Sequence, residues 1–282
     1  MTDFDDKFAA LRHLVDAAAA HTANYTVGFV VESGEDANTN ANLAGSGTLV
    51  QYLDIYGILT ADHCIKNFSD RDRLGLITMH GMKLHRFILK NDTYELRSIA
   101  PWSDDRKEPD LGFVRLSSKD VSTIKATKSF FNLKLAEERI IINPPPPSEC
   151  FWGVAGVIDE WTSDEPYAKG SGHVKVFGGM CGVGVLGRRY EVEDYDFVEF
   201  EIEYGEGYEG PEDYKGISGG GLWRFGVETT TNGKKVLGRC TLRGVAFYQS
   251  DLEKNKRVIT CHAEQSIYGK VLEELRAIAS YT

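Results

Sequence analysis

Long apolar runs are missing from this chain: no stretch approaches the ~20 residues needed to span a bilayer, so no membrane partner is expected. Basic charge is in deficit. Of 282 residues 32 are Lys or Arg against 42 Asp or Glu, a net charge of −10, which argues against nucleic acid held on a basic surface. Proline is scarce, with 8 residues, and the run Pro144-Pro145-Pro146-Pro147 cannot join a central sheet and reads as a stiff connector. The 5 cysteines, Cys64, Cys150, Cys181, Cys240 and Cys261, cannot all pair within one chain, and no two stand at metal-ligand spacing. No metal and no cofactor are therefore expected. Buried free thiols in a reducing compartment are the better account, and they predict a cytoplasmic protein. The first residues, Met1-Thr2-Asp3-Phe4-Asp5-Asp6, are acidic where a secretory leader is basic, so no export address is read there.

What is present is an ordered set of three segments. Thr60-Ala61-Asp62-His63-Cys64 comes first, then Pro109-Asp110-Leu111-Gly112-Phe113-Val114-Arg115-Leu116, then Gly216-Ile217-Ser218-Gly219-Gly220. A serine hydroxyl is a poor nucleophile near neutral pH and needs a base within hydrogen-bond reach. His63 is the candidate base. A carboxylate must hold the other ring nitrogen and offset the charge that forms on the ring, and Asp110 takes that role. Asp104 and Asp105 lie close by, but an alternating strand follows Asp110 directly. The glycines around Ser218 let the backbone turn tightly, so that the amides of Gly216 and Ser218 can both face a developing oxyanion. Each motif alone has a bland reading as a flexible turn, a structural histidine or a chance Asp-Leu pair. Their order makes the combination specific.

These segments resemble the histidine, aspartate and serine motifs of the chymotrypsin-like (trypsin-like) serine peptidases. Gly45-Ser46-Gly47-Thr48-Leu49-Val50 is similar to the strand that precedes the histidine in that family. Val245-Ala246-Phe247-Tyr248 resembles the strand that pairs with substrate backbone, and Ser266-Ile267-Tyr268 with Val271, Leu272, Leu275 and Ile278 resembles a last strand running into a C-terminal helix. The resemblance implies an all-β fold of two six-stranded antiparallel barrels, with the triad in the cleft between them. It also implies a serine endopeptidase acting on a protein or peptide substrate through an acyl-enzyme. A catalytically silent protease-fold binding module and an esterase-type acyl hydrolase are the alternatives.

Periodicity divides the chain in the same way. Residues 2–20 carry apolar positions Phe4, Phe8, Leu11, Val15 and Ala18 behind a Thr2/Asp5 capping box, which predicts an amphipathic N-terminal helix within residues 1–24. Short alternating or apolar runs at 26–31, 47–52, 56–60, 87–89 and 111–116 predict strands of a first barrel over residues 25–135. After a connector at 136–149, runs at 151–158, 174–177, 198–204, 220–223, 242–248 and 258–261 predict a second barrel over 150–282, which ends in a helix.

Several departures from the family bear on regulation and specificity. Ile217 stands where many secreted members carry an aspartate that pairs with a new amino terminus. Activation by that cleavage is therefore not expected, which leaves constitutive activity, or control by an activating protein partner or by loop ordering. Asp62 precedes the base directly; it either raises the histidine pKa or points into solvent. Ala246 sits where the family often has a serine that supports the aspartate, so another donor or a water must complete that carboxylate's hydrogen bonds. Residues 191–213 hold eleven acidic side chains and no Lys or Arg. Val198, Phe200, Ile202 and Tyr204 alternate there with Glu199, Glu201 and Glu203, as in a strand with one wet face; the sharper reading is an acidic rim that gathers basic substrates. By the same resemblance Glu212 or Asp213 lines the specificity pocket and favours cleavage after Lys or Arg, Ala246, Phe247 and Tyr248 bind substrate, and His262 on the far wall instead welcomes acidic or aromatic groups.

Overall fold

The computed structural model describes residues 3–33, 40–80, 83–103, 108–142, 149–166, 173–205 and 210–280. Asp104, Asp105, Thr2 and the run Pro144 to Pro147 lie outside them. Helix α1 (Asp3–Ala23) opens the chain and is followed by β1 (Thr26–Ser33), β2 (Asn40–Tyr52), β3 (Ile55–Thr60), the short helix α2 (Asp62–Lys66), β4 (Arg73–His80), β5 (Lys83–Lys90), β6 (Tyr94–Ala100) and β7 (Leu111–Leu116). Then come α3 (Ser118–Lys125), β8 (Phe131–Asn132) and α4 (Leu133–Glu137). The remainder is β9 (Cys150–Pro166), β10 (His173–Val192), β11 (Tyr195–Glu203), β12 (Gly221–Thr229), β13 (Lys235–Gln249), β14 (Lys256–His262) and α5 (Leu272–Ser280).

The fold is mostly β and forms two antiparallel sheets. The first runs β5-β4-β1-β2-β3-β7-β6, with β8 parallel to β2. This path has one strand more than the six expected for that half. The second sheet closes into a six-stranded barrel, β10-β11-β14-β13-β12-β9.

Sequence pattern explains the central elements. β7 is apolar almost throughout and is buried on both faces between β3 and β6. β11 alternates, with Val198, Phe200 and Ile202 inside and Glu199, Glu201 and Glu203 on the wetter face. Helix α1 buries Leu14, Ala18 and Thr22, an i, i+4, i+8 row. Of the stripe read from the sequence, Ala18 is buried and Val15 half-buried, while the side chains of Phe4, Phe8 and Leu11 lie outside the described ones. Ser266-Ile267-Tyr268 is not a strand: it opens a π-helical turn, Ser266–Val271, which runs into α5.

One apolar cluster joins the two sheets. Val50, Leu59, Leu111 and Phe113 from the first pack with Ala155, Trp223, Phe225 and Val245 from the second. A second cluster, built mostly on the first sheet, takes in Phe197 and Phe247. Burying shared apolar area is what holds the sheets against each other.

Candidate active site

Register brings the first two motifs together. β3 pairs with β7 so that Thr60 faces Gly112; the chain leaving β3 into α2 therefore lies beside the chain entering β7. His63 sits in α2 and Asp110 immediately precedes β7. The His63 N–H donates to Asp110 Oδ1 at 2.9 Å, and its ring Nδ1 meets Oδ2 at 2.5 Å. The carboxylate is almost fully buried, with 2% of its side chain exposed, while the imidazole keeps 26%. That contrast leaves the ring reachable and the carboxylate shielded.

Burial opposes charge on the His63 ring, but the Cys64 sulfur and the Asp110 carboxylate outweigh it, and the imidazole pKa is raised. Asp62 does not enter this balance. Its buried carboxylate accepts the Trp102 N–H at 2.9 Å, and it neither points into solvent nor touches the ring. It fixes instead a segment whose Trp102 ring lies 6.2 Å from His63.

Ser218 comes from the second sheet, in the loop that leads into β12. Gly216 at φ +95 and Gly219 at φ +87 adopt the left-handed region there. A Cβ on Gly219 would stand 2.0 Å from Ser46 O and 2.1 Å from Thr60 Oγ1, so no larger residue fits. The Ile217 and Gly220 amides are bonded to Tyr214 O and Ile217 O, and the Gly219 amide to Ala246 O. Among the described residues the Gly216 and Ser218 amides have no acceptor. Two unpaired N–H groups beside a serine are what an anion-stabilising loop requires.

The first sheet grips this loop through Ser46. Its N–H donates to Ser218 O at 2.7 Å. Its hydroxyl donates to Gly216 O at 2.7 Å and accepts from the Val157 N–H at 2.8 Å. Cys64 adds a second link, with Sγ 3.4 Å from Ser218 O and 3.6 Å from His63 Nε2. One sulfur thus touches both the ring and the serine's own peptide. The Ser218 hydroxyl itself donates to Phe247 O at 3.2 Å. Among the described residues it makes no bond to His63.

The remaining candidates divide. The Ala246 N–H and carbonyl are taken by Gly220 O and the Gly219 N–H, Phe247 is buried and supplies the Ser218 acceptor, and Tyr248 pairs with Thr260 on β14. Glu212 and Asp213 are both exposed. Burial works against charge on Asp213, but Gln249 Nε2, the Lys215 N–H and nearby Arg257 hold its carboxyl below the usual range. That carboxylate already has partners. His262 lies elsewhere: fully buried, its Nε2 accepts the Asp110 N–H at 3.1 Å, which sets it behind the aspartate rather than on the wall of a pocket. Sequence reading did not single out the contacts of Ser46, Cys64 and Trp102. The clue for Ser46 was its place between two glycines on the strand before the histidine.

Burial depresses the His262 pKa to about 3, against an ordinary value of 6.5, and this carries a stability consequence. The unfolded chain binds a proton below about pH 6.5 that the native ring refuses until about pH 3, so unfolding becomes easier as pH falls through that window. The slope is roughly 1.4 kcal/mol per pH unit. His63, shifted upward, acts in the opposite sense, so the clean measurement is a difference. Denaturant unfolding of wild type and His262→Gln at pH 7 and at pH 5 is expected to show the wild type losing more stability on acidification than the variant.

All five cysteines are free thiols. Among the described residues no helix is long and apolar enough to cross a membrane. No family model matches the chain and no curated protein matches it. A solved structure titled "Aromatic interactions drive the coupled folding and binding of the intrinsically disordered Sesbania mosaic virus VPg protein" aligns over 88% of this chain and 90% of that one, with a TM-score of 0.43 and 15% identity. A likeness that shallow adds nothing to the reading of the site.

Proposed function

We propose that this protein is a serine endopeptidase of the chymotrypsin-like family, with Ser218 as nucleophile, His63 as general base and Asp110 as the carboxylate that holds the base. The observation that carries the reading is the meeting of the His63–Asp110 pair and the Ser218 loop at the Cys64 sulfur. For reaction, the Ser218 hydroxyl turns from Phe247 O toward His63 Nε2 and yields its proton to the ring as Oγ bonds the substrate carbonyl carbon. The carbonyl π pair moves onto oxygen, and the Gly216 and Ser218 amides stabilise that oxyanion. The imidazolium then protonates the leaving amine, the C–N bond breaks, and an acyl ester remains on Ser218. Water, deprotonated by the same ring, hydrolyses the ester and restores the hydroxyl.

His63 must be neutral to begin. Its raised pKa means that the base form gains population as pH rises, and kcat/KM rises with it. Ile217 is buried in an apolar cluster, which supports activity without a cleaved amino terminus. The free thiols support a reducing, cytoplasmic compartment.

The bond from the Ser218 hydroxyl to Phe247 O favours a second reading, a silent binding module. A fluorophosphonate probe separates the two. It is expected to leave a covalent adduct on Ser218 in the unprocessed chain, located by peptide mapping. Absence of an adduct across the pH range in which the protein is folded would favour the silent module. An adduct with ester turnover but no peptide turnover would favour the esterase.

A further inference from the structure

We propose that His262 is a positioning residue for this hydrolytic site: it anchors Asp110 through the backbone and thereby aims the ring of His63. The inference rests on the serine-hydrolase reading above. Its starting point is an incomplete set of partners. Both Asp110 carboxylate oxygens receive hydrogen bonds from His63, at its N–H and its Nδ1, and among the described residues from nothing else. At Ala246 there is only a methyl group, which cannot donate. A carboxylate held solely by the group it is meant to hold has no independent reference. The reference comes from the main chain, where the Asp110 N–H donates to His262 Nε2 at 3.1 Å, 152 positions away in sequence.

His262 is itself fixed on every side. Its ring lies 4.8 Å from Phe197, 5.0 Å from Phe247 and 5.7 Å from Tyr195. Its Nδ1 is 3.2 Å from Ser266 Oγ. That hydroxyl has one proton, which goes to Asp196, at 2.8 Å to Oδ1, and it accepts the Asp196 N–H at 3.1 Å. Ser266 Oγ is therefore an acceptor toward the ring, so Nδ1 carries the hydrogen. Nε2, facing an N–H donor, must be bare. The network permits a single tautomer of a neutral imidazole. The titratable groups around it are Asp110 in front, Tyr195 at the ring edge and Asp196 behind Ser266. Register completes the placement, since His262 is paired with Phe197 on β11 and Val245 on β13. The second barrel thus reaches across the interface to set the acid member contributed by the first sheet.

The test compares His262→Phe, which keeps an aromatic ring but loses the acceptor, with His262→Gln, whose side-chain oxygen can accept the Asp110 N–H. Three readouts are taken: kcat and KM, the acid limb of kcat/KM, and the low-field proton resonance of His63 Nδ1–H. For His262→Phe, kcat is expected to fall by about 100-fold, the order produced by a misplacement of about 1 Å, with KM little changed. The acid limb moves to lower pH and the resonance shifts upfield or is lost. His262→Gln is expected to recover most of all three. A His262→Phe protein with the wild-type kcat, acid limb and resonance would overturn the inference. Should that variant fail to fold, Ser266→Ala decides in its place: the same shifts in smaller measure support the role, and unchanged values overturn it. Wild-type protein without Ser218-dependent hydrolysis would refute the hydrolase reading instead, and the resonance would still judge His262.

Discussion

Ser218→Ala is expected to lower kcat for peptide hydrolysis by roughly a million-fold, the scale seen when a hydrolase of this type loses its nucleophile. KM should change little, because the serine hydroxyl contributes to the transition state and hardly to ground-state binding. Stability should also change little. The hydroxyl makes one bond, to Phe247 O, at a half-buried position, and a neutral bond of this kind contributes about 1 kcal/mol. Rate and stability are therefore separable in this variant. Equal turnover by wild type and Ser218→Ala, both shown to be folded by their unfolding transitions, would remove the serine from the mechanism.

Asp110→Asn is the second large effect, with an expected loss of about ten-thousand-fold in kcat. The amide can donate a hydrogen to His63 Nδ1, which stabilises the tautomer whose Nε2 already carries a hydrogen and so cannot take the serine proton. The variant has a second signature. The Asp110 charge is one of the influences that raise the His63 pKa, so its removal lowers that pKa, and the acid limb of kcat/KM moves to lower pH while the plateau falls. A steady-state pH profile of both proteins reads the two changes together. A loss of less than tenfold would transfer the carboxylate role away from Asp110.

Much of this arrangement was legible in the sequence. The bounds of β7 could be read as 111–116 because that strand is apolar nearly throughout and sits behind an aspartate. β10 could not. Only 174–177 stands out as strand, whereas the element runs His173–Val192, because glycines at 178, 179, 182, 184 and 187 interrupt the apolar pattern. Packing explains them. A Cβ on Gly184 would lie 2.3 Å from Glu201 O, and one on Gly178 would lie 2.6 Å from Trp161 Cβ, so glycine here marks close approach rather than a turn. Neither β4 nor β6 is among the strands expected from the sequence; β6, Tyr94–Ala100, mixes charged and apolar positions without clean alternation.

For the site, motif order singles out His63, Asp110 and Ser218 as candidates because each proposed role demands a residue type at a recognisable turn. Their supports left no such mark. Whether the Ser218 hydroxyl faces His63 or Phe247 is a matter of rotamer. Whether His262 faces a pocket or Asp110 depends on the register of β14 between β11 and β13, which no local pattern encodes. Glu212 and Asp213 illustrate the same limit: both are exposed, their backbone N–H groups donate to the Glu160 carboxylate, and the Asp213 carboxylate accepts from Gln249.

The clasp made by Ser46 has a consequence for how this chain can be divided. The serine that would perform the chemistry belongs to the C-terminal half, yet its peptide carbonyl and that of Gly216 are tied to a residue near position 50. Neither half by itself contains a shaped oxyanion loop together with a base. On the hydrolase reading proposed above, a nascent or truncated chain is expected to stay inert until both sheets have formed and met, because the proposed nucleophile and its base come together only at their seam.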